Sequence, residues 1–368
     1  MKFSCYKSDL SNALNFVSRA VAPKPMTPIL SGIYLKASGE LIELQANNFS
    51  TGIVTKIPAS VEVEGEIAVS GKRFVEFVKN MPDDTISAAI EDNMLRLDSG
   101  GANVELLTMN PIDFPKVKIP DVSSTFTLHS YTLYELIKRT SFAVAKDDSR
   151  PIFTGGYFEI SGNDITLVAT NTHRLAIAKA NFENSAGDSK FIVPATALQG
   201  LLQRIDPKDT NQFIKVSYAN RTVIFTFDNV LVTSRILEGA FPPCDNIIPK
   251  ECATRAVVDT AEFKHVVDFI ALMAKDDEYN TTRFNFAGDN SIEVSAKSVE
   301  IGGAVQAVEA EIYGAEVEIA FNVNYIADAL KVINSPKLII ELNDKYSPAK
   351  ITEPDNPNFV YVVTPMRA

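Results

Sequence analysis

The chain repeats part of its own sequence, and this repetition limits the folds that it can adopt. Residues 28–48 (PILSGIYLKASGELIELQANN) align without a gap on residues 151–171 (PIFTGGYFEISGNDITLVATN), at an offset of 123, with ten of 21 positions identical. A weaker third copy includes residues 292–296, which align on residues 165–169. A unit of about 125 residues is a whole domain rather than a solenoid repeat of about 20–50 residues. Three similar domains in a row are typical of a curved wall or part of a ring.

Each repeat is predicted to contain two helices packed on mainly antiparallel strands, an α+β fold class. The first helix of each repeat follows a strand and has apolar residues at helical spacing: Leu10, Leu14 and Val17, then Leu133, Leu136, Ile137 and Thr140, then Phe263, Val266, Val267 and Ile270. The pair Ser8-Asp9 predicts the N-cap of the first of them. Second helices are expected at about residues 71–81, 195–205 and 323–333, and later strands at residues 94–97, 222–227 and 337–342.

Two polar, proline-containing stretches predict the domain boundaries. They span residues 111–124 and 242–252, and they begin near Phe114-Pro115 and Phe241-Pro242, which lie 127 residues apart. Exposed linkers between domains have this kind of composition. The predicted domains are therefore residues 1–120, 125–245 and 250–368.

Composition indicates a soluble globular chain, with 46% apolar and 22% charged residues. No apolar run approaches the roughly 20 residues that span a bilayer, and the N-terminus lacks a signal-peptide pattern. The three cysteines, Cys5, Cys244 and Cys252, form no Cys-x-x-Cys pair, which favours idle thiols in a reducing cytoplasm. A net charge of −11 argues against nucleic acid unless basic residues are concentrated on one surface.

A search for catalytic motifs favours a protein that is not an enzyme and has no cofactor or metal. The chain has no P-loop, no G-x-G-x-x-G, no H-E-x-x-H and no nucleophile elbow. Its histidines, His129, His173 and His265, are far apart in sequence. The acidic pairs Asp83-Asp84, Asp147-Asp148 and Asp276-Asp277 have the ligands for Mg²⁺, but solvated turns use such pairs more often. A hydrolase centred on His173 is kept only as a third hypothesis.

Two segments stand out against this background. Residues 169–176 (ATNTHRLA) contain a His-Arg pair that the matching residues 46–53 (ANNFSTGI) lack. This segment is either a turn whose His and Arg satisfy neighbouring carbonyls or a functional site. The C-terminus, residues 361–368 (YVVTPMRA), is an apolar strand followed by Pro-Met-Arg, although chain ends usually fray. A strand that simply completes a sheet is the alternative there.

Taken together, the three repeats, the THRLA segment, residues 239–242 (GAFP) and the terminal TPMR closely resemble the bacterial DNA polymerase β sliding clamp family over residues 1–368. The resemblance implies a subunit of three similar domains, two of which close head to tail into a homodimeric ring around double-stranded DNA. It also implies a cytoplasmic, non-catalytic processivity factor with no membrane contact. The implied partners are the polymerase α subunit, the clamp loader and repair proteins, bound through short linear peptides. A peptide-binding scaffold that does not encircle DNA is the alternative.

The resemblance also implies a peptide groove. Its residues in this chain are Arg150, Phe153, Thr170, Thr172, His173, Arg174, Leu175, Pro242, Ile247, Asn322, Tyr325, Tyr346, Val362, Thr364, Pro365, Met366 and Arg367. Such a set combines an apolar trough with a few orienting polar groups. Four positions depart from the family pattern: Asn171 replaces an aspartate, Thr172 a glycine, Thr364 a methionine and Cys244 an aromatic residue. The change at Thr364 is expected to shorten one wall of the pocket.

Two further surfaces are expected from the same resemblance. DNA is expected to contact basic residues near the helices, with solvated helix faces as the alternative: Lys24, Arg73, Lys138, Arg139 and Lys146, and beyond these Lys7, Arg19, Lys72, Lys79, Arg204, Lys208, Lys264, Lys275 and Lys331. The dimer contact is expected to join Val104 and Leu106 to Leu272 and Met273 of the other subunit. Around it, the segments 101–103 and 300–303 largely lack the charges that better-known clamps carry.

Overall fold

The computed structural model describes residues 1–119, 124–147, 149–183, 187–219, 221–274, 280–298 and 302–367. These residues form six α-helices: α1 (Lys7–Val17), α2 (Gly71–Lys79), α3 (Ser130–Thr140), α4 (Ala195–Arg204), α5 (Thr260–Ala274) and α6 (Val323–Leu330). Short 3₁₀ turns cover Ser18–Ala20, Pro28–Ser31, Pro111–Asp113, Ser141–Ala143 and Pro151–Thr154.

The strands are antiparallel wherever two of them pair. They are β1 (Lys2–Tyr6), β2 (Gly32–Ser38), β3 (Leu41–Asn47), β4 (Thr51–Pro58), β5 (Ser60–Val63), β6 (Gly65–Ser70), β7 (Thr85–Glu91), β8 (Met94–Ser99), β9 (Ala102–Met109), β10 (Ser124–His129), β11 (Gly155–Ser161), β12 (Asp164–Thr170), β13 (Arg174–Asn181), β14 (Ser189–Pro194), β15 (Phe213–Ala219), β16 (Thr222–Phe227), β17 (Val230–Arg235), β18 (Thr254–Asp259), β19 (Thr281–Ala287), β20 (Ser291–Ser298), β21 (Gly302–Gly314), β22 (Val317–Asn322), β23 (Lys337–Leu342), β24 (Ala349–Glu353) and β25 (Asn356–Val363). Helices and antiparallel strands thus occur in the proportion predicted, two helices to each repeat.

The chain divides into two compact units, each built on one sheet. Unit 1 comprises Met1–Tyr134, Phe182–Gly187 and Thr196–Ile236, and its strands run in the order β10-β15-β16-β17-β4-β3-β2-β6-β9-β8-β7-β1-β5. Unit 2 comprises Glu135–Asn181, Asp188–Ala195 and Leu237–Ala368, with the order β14-β11-β12-β13-β25-β24-β23-β18-β21-β20-β19-β22. The middle repeat therefore contributes strands to both units, and the boundaries 1–120, 125–245 and 250–368 stay a prediction.

The sequence repeat is a structural repeat. In each copy a 3₁₀ turn begins at the shared proline, Pro28 or Pro151, and leads into the hairpin β2–β3 or β11–β12. The hairpin turns at Gly39 and at Gly162, both with φ of 60°. Glycine adopts this left-handed conformation without the steric cost that a Cβ brings. The identical positions therefore lie mainly in the 3₁₀ turn, in the two strands of the hairpin and at the glycine where the chain reverses direction.

The predicted apolar helix faces are confirmed. Leu10, Leu14 and Val17 are fully buried in unit 1, and Phe263 and Ile270 are buried in unit 2. The predicted cap was wrong, because α1 begins at Lys7 and the pair Ser8-Asp9 lies inside its first turn. Strand β1 runs directly into the helix, and the Lys7 N–H donates to the Asp84 carbonyl at 2.7 Å. A main-chain partner therefore satisfies a terminal donor that a side chain was expected to cap.

Several predictions fall on residues outside the described ranges. These are Asp148, Lys275, Asp276, Asp277, Glu300, Ile301 and Ala368. None of the helices in the described ranges has both the length and the hydropathy that a bilayer crossing requires.

Candidate peptide-binding site

The His-Arg segment of unit 2 is a tight turn between β12 and β13. The Asn171 side-chain carbonyl accepts hydrogen bonds from the His173 and Arg174 N–H groups, both at 3.0 Å. Thr172 adopts φ of 76°, and its N–H donates to the Thr170 hydroxyl at 3.1 Å. A β-branched residue in the left-handed region is strained, at a cost of about 1–3 kcal/mol. The surrounding hydrogen bonds hold the backbone in this conformation and leave the His173 side chain exposed.

Arg174 points the other way and is a buried structural group. Its side chain is 2% exposed and pairs with Asp328 of α6, with Nη1 to Oδ2 at 2.9 Å. Nη2 donates to the Phe142 carbonyl, and the guanidinium lies 4.6 Å from the Tyr325 ring centroid. Of the two interpretations of this segment, satisfaction of a neighbouring carbonyl therefore holds for Arg174. Its guanidinium fixes the positions of Asp328 and Tyr325. It therefore already has partners within the protein, without a bound peptide.

The ionisable groups around Arg174 are shifted in line with this pairing. Burial alone would raise the pKa of Asp328, but hydrogen bonds and charge from Arg174 and Lys331 outweigh it and lower the pKa below its ordinary 3.8. Burial raises the pKa of Tyr361, whose hydroxyl donates to the Tyr325 carbonyl at 2.8 Å. Strand β25 and helix α6 are thereby linked through the same cluster.

A polar cleft of about 860 Å³ opens above this cluster. It brings together seven of the predicted groove residues, namely Arg150, Phe153, Thr172, His173, Arg174, Asn322 and Tyr325. Asn322 caps α6, because its side chain accepts a hydrogen bond from the Asn324 N–H at 3.0 Å. Arg150 and His173 are exposed at the cleft. The cleft therefore offers charged and polar groups over an aromatic floor.

The apolar part of the predicted groove lies on the opposite face of the same strands. Val168, Leu175, Ile177 and Val362 form a buried cluster, and Phe241, Cys244 and Ile248 pack against it. Leu175 is 2% exposed and Val362 is 1% exposed, so the prediction that both wall an open trough was wrong. Strand alternation places Leu175 on the face opposite to Arg174. On that face, the chain's own 241–248 segment covers Leu175 and Val362.

The C-terminal tail is held in place by backbone hydrogen bonds. Strand β25 pairs with β13, with Arg174 opposite Val363. Beyond the strand, the Thr364 N–H and hydroxyl both donate to the His173 carbonyl, at 2.9 and 3.0 Å. The Met366 N–H donates to the Ala320 carbonyl at 2.7 Å. The described tail is therefore anchored as far as Met366, and it presents half-buried Pro365 and Met366 and exposed Arg367.

The remaining predicted groove residues are more scattered. Thr170 is buried, and its hydroxyl donates to the Arg174 carbonyl at 2.7 Å. Pro242 and Ile247 are exposed at the segment that covers the apolar cluster. Tyr346 is 73% exposed in the turn that precedes β24, whose first residue, Ala349, pairs with Val363.

Sequence reasoning missed several residues of this site. Asp328, Asn324 and Lys146 line the cleft, and Tyr157 and Phe241 support the apolar cluster. The two rings stack at 4.7 Å, and Tyr34 and Phe114 stack at 5.4 Å at the matching position of unit 1. The identity of Tyr34 with Tyr157, together with the duplicated Phe-Pro pair, was the available signal for this contact. Nothing in the sequence marks Asp328, because α6 positions it across a distance of 154 residues from Arg174.

The basic residues that were predicted to contact DNA differ in their exposure to solvent. Lys24 and Arg73 are exposed on unit 1, where Arg73 lies 3.3 Å from Glu76. Arg139 is 11% exposed and pairs with the buried Glu353, so the prediction of a phosphate contact for it was wrong.

Two lysines assigned to DNA also have other surroundings. Lys138 lies 3.4 Å from Glu135 and is 28% exposed. Lys146 lines the polar cleft of unit 2.

The predicted dimer residues are exposed to different degrees. Leu272 is 61% exposed on α5, and Met273 is half-buried against the core of unit 2. Val104 is half-buried, but Leu106 is only 8% exposed and belongs to the core of unit 1. The neighbouring Leu107 is 72% exposed, because alternate residues of β9 face opposite sides. The expectation that the Leu106 side chain faces a partner was therefore wrong.

The other candidate chemistry finds no support in the described parts of the chain. No group of three or more metal-ligating side chains occurs there. His129 packs against Phe213 in a tilted arrangement with ring centroids 4.1 Å apart, and His265 is exposed on α5. Burial, reinforced by Asp245, raises the pKa of the Cys244 thiol to about 11. Since thiolates are the reactive form, Cys244 is an inert packing residue.

Comparison with known proteins gives the same assignment along the whole chain. The N-terminal, central and C-terminal domain models of the DNA polymerase III beta subunit match residues 1–118, 127–243 and 245–367. The beta sliding clamp of Bacillus subtilis is 29% identical over 378 residues, with all of both chains covered. That of Halalkalibacterium halodurans is 29% identical over 367 residues, with 96% of each chain covered.

Solved structures agree. The crystal structure of the DNA polymerase sliding clamp from Bacillus subtilis has a TM-score of 0.90 at 28% identity, covering 100% of this chain and 99% of that one. A Pseudomonas aeruginosa sliding clamp bound to griselimycin has a TM-score of 0.90 at 26% identity, with both chains fully covered.

Three repeated domains of antiparallel sheet with two helices each define a protein of the DNA clamp class. The chain belongs to the DNA polymerase III beta subunit family. It is a sliding clamp that supports the processivity of a DNA polymerase, and it is not itself an enzyme.

The buried pair predicts a specific loss of stability in acid. Because the pKa of Asp328 is lowered on folding, its contribution is complete above the unfolded value near 3.8 and is lost as pH falls through the folded value. Asp328→Asn should cost about 1–3 kcal/mol near neutral pH, since it leaves the Arg174 charge unpaired. Between about pH 5 and pH 2 its urea midpoint should fall less steeply than that of the wild type.

Glu318→Gln is the matched control, because its pair with Arg283 is exposed on both sides and contributes little. Urea unfolding followed by circular dichroism measures all three proteins. Parallel pH curves for wild type and Asp328→Asn would show that the pair is not coupled to folding.

Proposed function

We propose that this clamp acts in the cytoplasm as a head-to-tail homodimer that encircles double-stranded DNA, and that unit 2 captures short linear peptides of its partners. The observation that carries the peptide-binding proposal is the cleft of about 860 Å³, in which seven predicted groove residues meet. The polymerase α subunit, the clamp loader and repair proteins are the partners that the family resemblance favours. The scaffold alternative is not favoured, because the matches to clamp domains extend along the whole chain.

The geometry suits an extended peptide with one polar and one apolar anchor. Arg150 and His173 are exposed donors at the cleft, whereas the Arg174 guanidinium is occupied by Asp328 and the Phe142 carbonyl. Exposed Ile247 and half-buried Met366 offer further apolar surface in unit 2. Since Leu175 and Val362 are covered, an apolar side chain would pack on the exposed residues rather than on these two. Short motifs of this kind bind with about micromolar affinity, or about 7–9 kcal/mol.

Removal of residues 364–368 should abolish peptide binding and leave the dimer intact. The deletion removes Pro365 and Met366 and frees the His173 and Ala320 carbonyls that the tail occupies. Fluorescence polarisation with a labelled clamp-binding peptide from a polymerase measures the affinity, and a sizing column measures the dimer. We expect a loss of at least about tenfold in affinity.

Met366→Ala is the matched variant, because it keeps the backbone hydrogen bonds and removes only the side chain. It should weaken binding less than the deletion does. Wild-type affinity in the deleted dimer would place the peptide elsewhere.

Open strand edges support the proposed dimer. Within the described residues, positions 102–107 of β9 pair only with β8, and positions 302–309 of β21 pair only with β20. Unpaired edges of this length are templates for pairing with another chain. Leu107 on β9 and Val305 on β21 are exposed by 72% and 61%. We propose that the two edges join in the dimer, with Leu107 taking the position first assigned to Leu106.

The dimer should resist salt. Its proposed contacts at Leu107, Leu272 and Val305 are apolar, and screening by salt weakens charge pairs but not apolar burial. Sedimentation velocity from low to high sodium chloride should therefore show one dimeric species throughout. Leu107→Asp should dissociate it at every salt concentration. Dissociation of the wild type by salt alone would show that charge holds the contact.

Retention on DNA should depend on exposed cations of unit 1. Lys24→Glu with Arg73→Glu should shorten retention on nicked circular DNA for any sequence, because phosphate contacts carry no sequence information. Glu76→Gln is the control, since it removes only the exposed partner of Arg73. Equal retention of the double variant and wild type, after loading by a clamp loader, would exclude these positions from the DNA surface.

A further inference from the structure

Unit 1 contains a second copy of the frame that forms the cleft of unit 2. Strand β4 pairs with β17, with Thr51 opposite Ser234, as β13 pairs with β25. The Arg235 N–H donates to the Ser50 carbonyl at 2.8 Å, and the Thr364 N–H donates to the His173 carbonyl at 2.9 Å. The turn before β4 therefore receives the next strand in the same way in both units.

The turn itself is also duplicated, including the residue with positive φ. The Asn48 side chain accepts from the Ser50 and Thr51 N–H groups at 3.0 and 2.8 Å, as Asn171 does in unit 2. Phe49 has φ of 67° where Thr172 has 76°. A bulky aromatic residue in the left-handed region is an uncommon and costly choice.

Phe49 is also exposed, at the mouth of a cavity of about 520 Å³. Its side chain is 56% exposed, and that of Ile119, on the same cavity, is 60% exposed. Both side chains stay exposed when unit 1 folds. The stability of unit 1 therefore does not explain why large apolar residues occupy these two positions. Large apolar side chains that line a cavity and face water are typical of a binding surface.

Among the described residues that line this cavity, the charged side chains have one sign. Lys118 and Arg235 line it, both are exposed, and no ion pair to either occurs among the described residues. The described lining includes no carboxylate, whereas the cleft of unit 2 includes Asp147 and Asp328. Unpaired cations beside exposed apolar groups complement an acidic ligand that carries an apolar side chain.

We propose that this cavity of unit 1 is a second docking site, for an extended acidic peptide bearing one large apolar side chain. Phe49 and Ile119 contact the apolar side chain, and Lys118 and Arg235 pair with the carboxylates. The cavity lies on the strand face of Gly52, the counterpart of Leu175, whereas the unit 2 cleft lies on the face of Arg174 and includes its partner Asp328. The two units therefore select peptides of different charge, and the second site does not depend on peptide binding at the first.

A labelled acidic heptapeptide with one large apolar side chain, EEDAFEE, tests the proposal on the full-length protein. Fluorescence polarisation should show saturable binding to the wild type, and Phe49→Ala and Arg235→Glu should each weaken it at least about fivefold. Phe213→Ala is the matched control, since it removes another half-exposed ring of unit 1 outside this cavity. The peptide EEDAAEE, which lacks the apolar anchor, should bind more weakly.

Two further measurements locate the peptide. A photoreactive benzoylphenylalanine in place of the peptide's Phe should crosslink to residues 47–52 or 117–119. Binding should persist in the protein that lacks residues 364–368, which separates this site from the cleft of unit 2. Crosslinks confined to unit 2, or loss of binding on that deletion, would overturn the proposal. A Phe49→Ala variant with unchanged peptide affinity, together with an Arg235→Glu variant that releases DNA, would assign the cations to DNA phosphates instead and also overturn it.

Discussion

The pairing of the last strand of one repeat with the fourth strand of the preceding repeat is the constraint on which each unit depends. It joins β17 to β4 in unit 1 and β25 to β13 in unit 2, and each joint continues one sheet across two repeats. Because strand register has a period of two, a slip of one residue would exchange the faces of β25. Tyr361 would then leave the main core of unit 2 for the face covered by the 241–248 segment, and Val362 would take its place. The register therefore fixes which residues reach the candidate site.

Arg174 links this strand register to the geometry of the candidate site. Its placement at the first position of β13 buries the guanidinium, and burial of an unpaired charge is costly. Asp328 and the Phe142 carbonyl accept hydrogen bonds from its two terminal nitrogens and the Tyr325 ring packs against it, so α6 is fixed against β13. The cleft residues Tyr325 and Asn322 are positioned by the same helix. Arg174 thus acts mainly through the groups that it orients, and the exposed His173 and Arg150 are left to meet a ligand.

How much the sequence predicts depends on whether the signal is local. The hairpin turns at Gly39 and Gly162 and the starts of α2, α4 and α6 were predictable, because turn residues and apolar periodicity are read within a few residues. The residues of the cleft were predictable only through family resemblance. The burial of Arg139 against Glu353, and of Leu106 in its own core, depends on contacts distant in sequence or on the face of an edge strand. Single-sequence reasoning has no access to either.

The duplicated turn also changes the interpretation of a motif that only one repeat contains. The His-Arg pair occurs in one repeat only, and the sequence left a structural turn and a functional site as alternatives for this segment. The structure shows that the backbone of the turn, including the residue with positive φ, is common to both copies. Fold therefore explains the conformation, and the three side chains that follow the shared asparagine differ between the copies: Phe49, Ser50 and Thr51 in one, Thr172, His173 and Arg174 in the other. A frame that holds its backbone by asparagine hydrogen bonds leaves those side chains free to diverge, and each unit can then bind a different ligand without a change of fold.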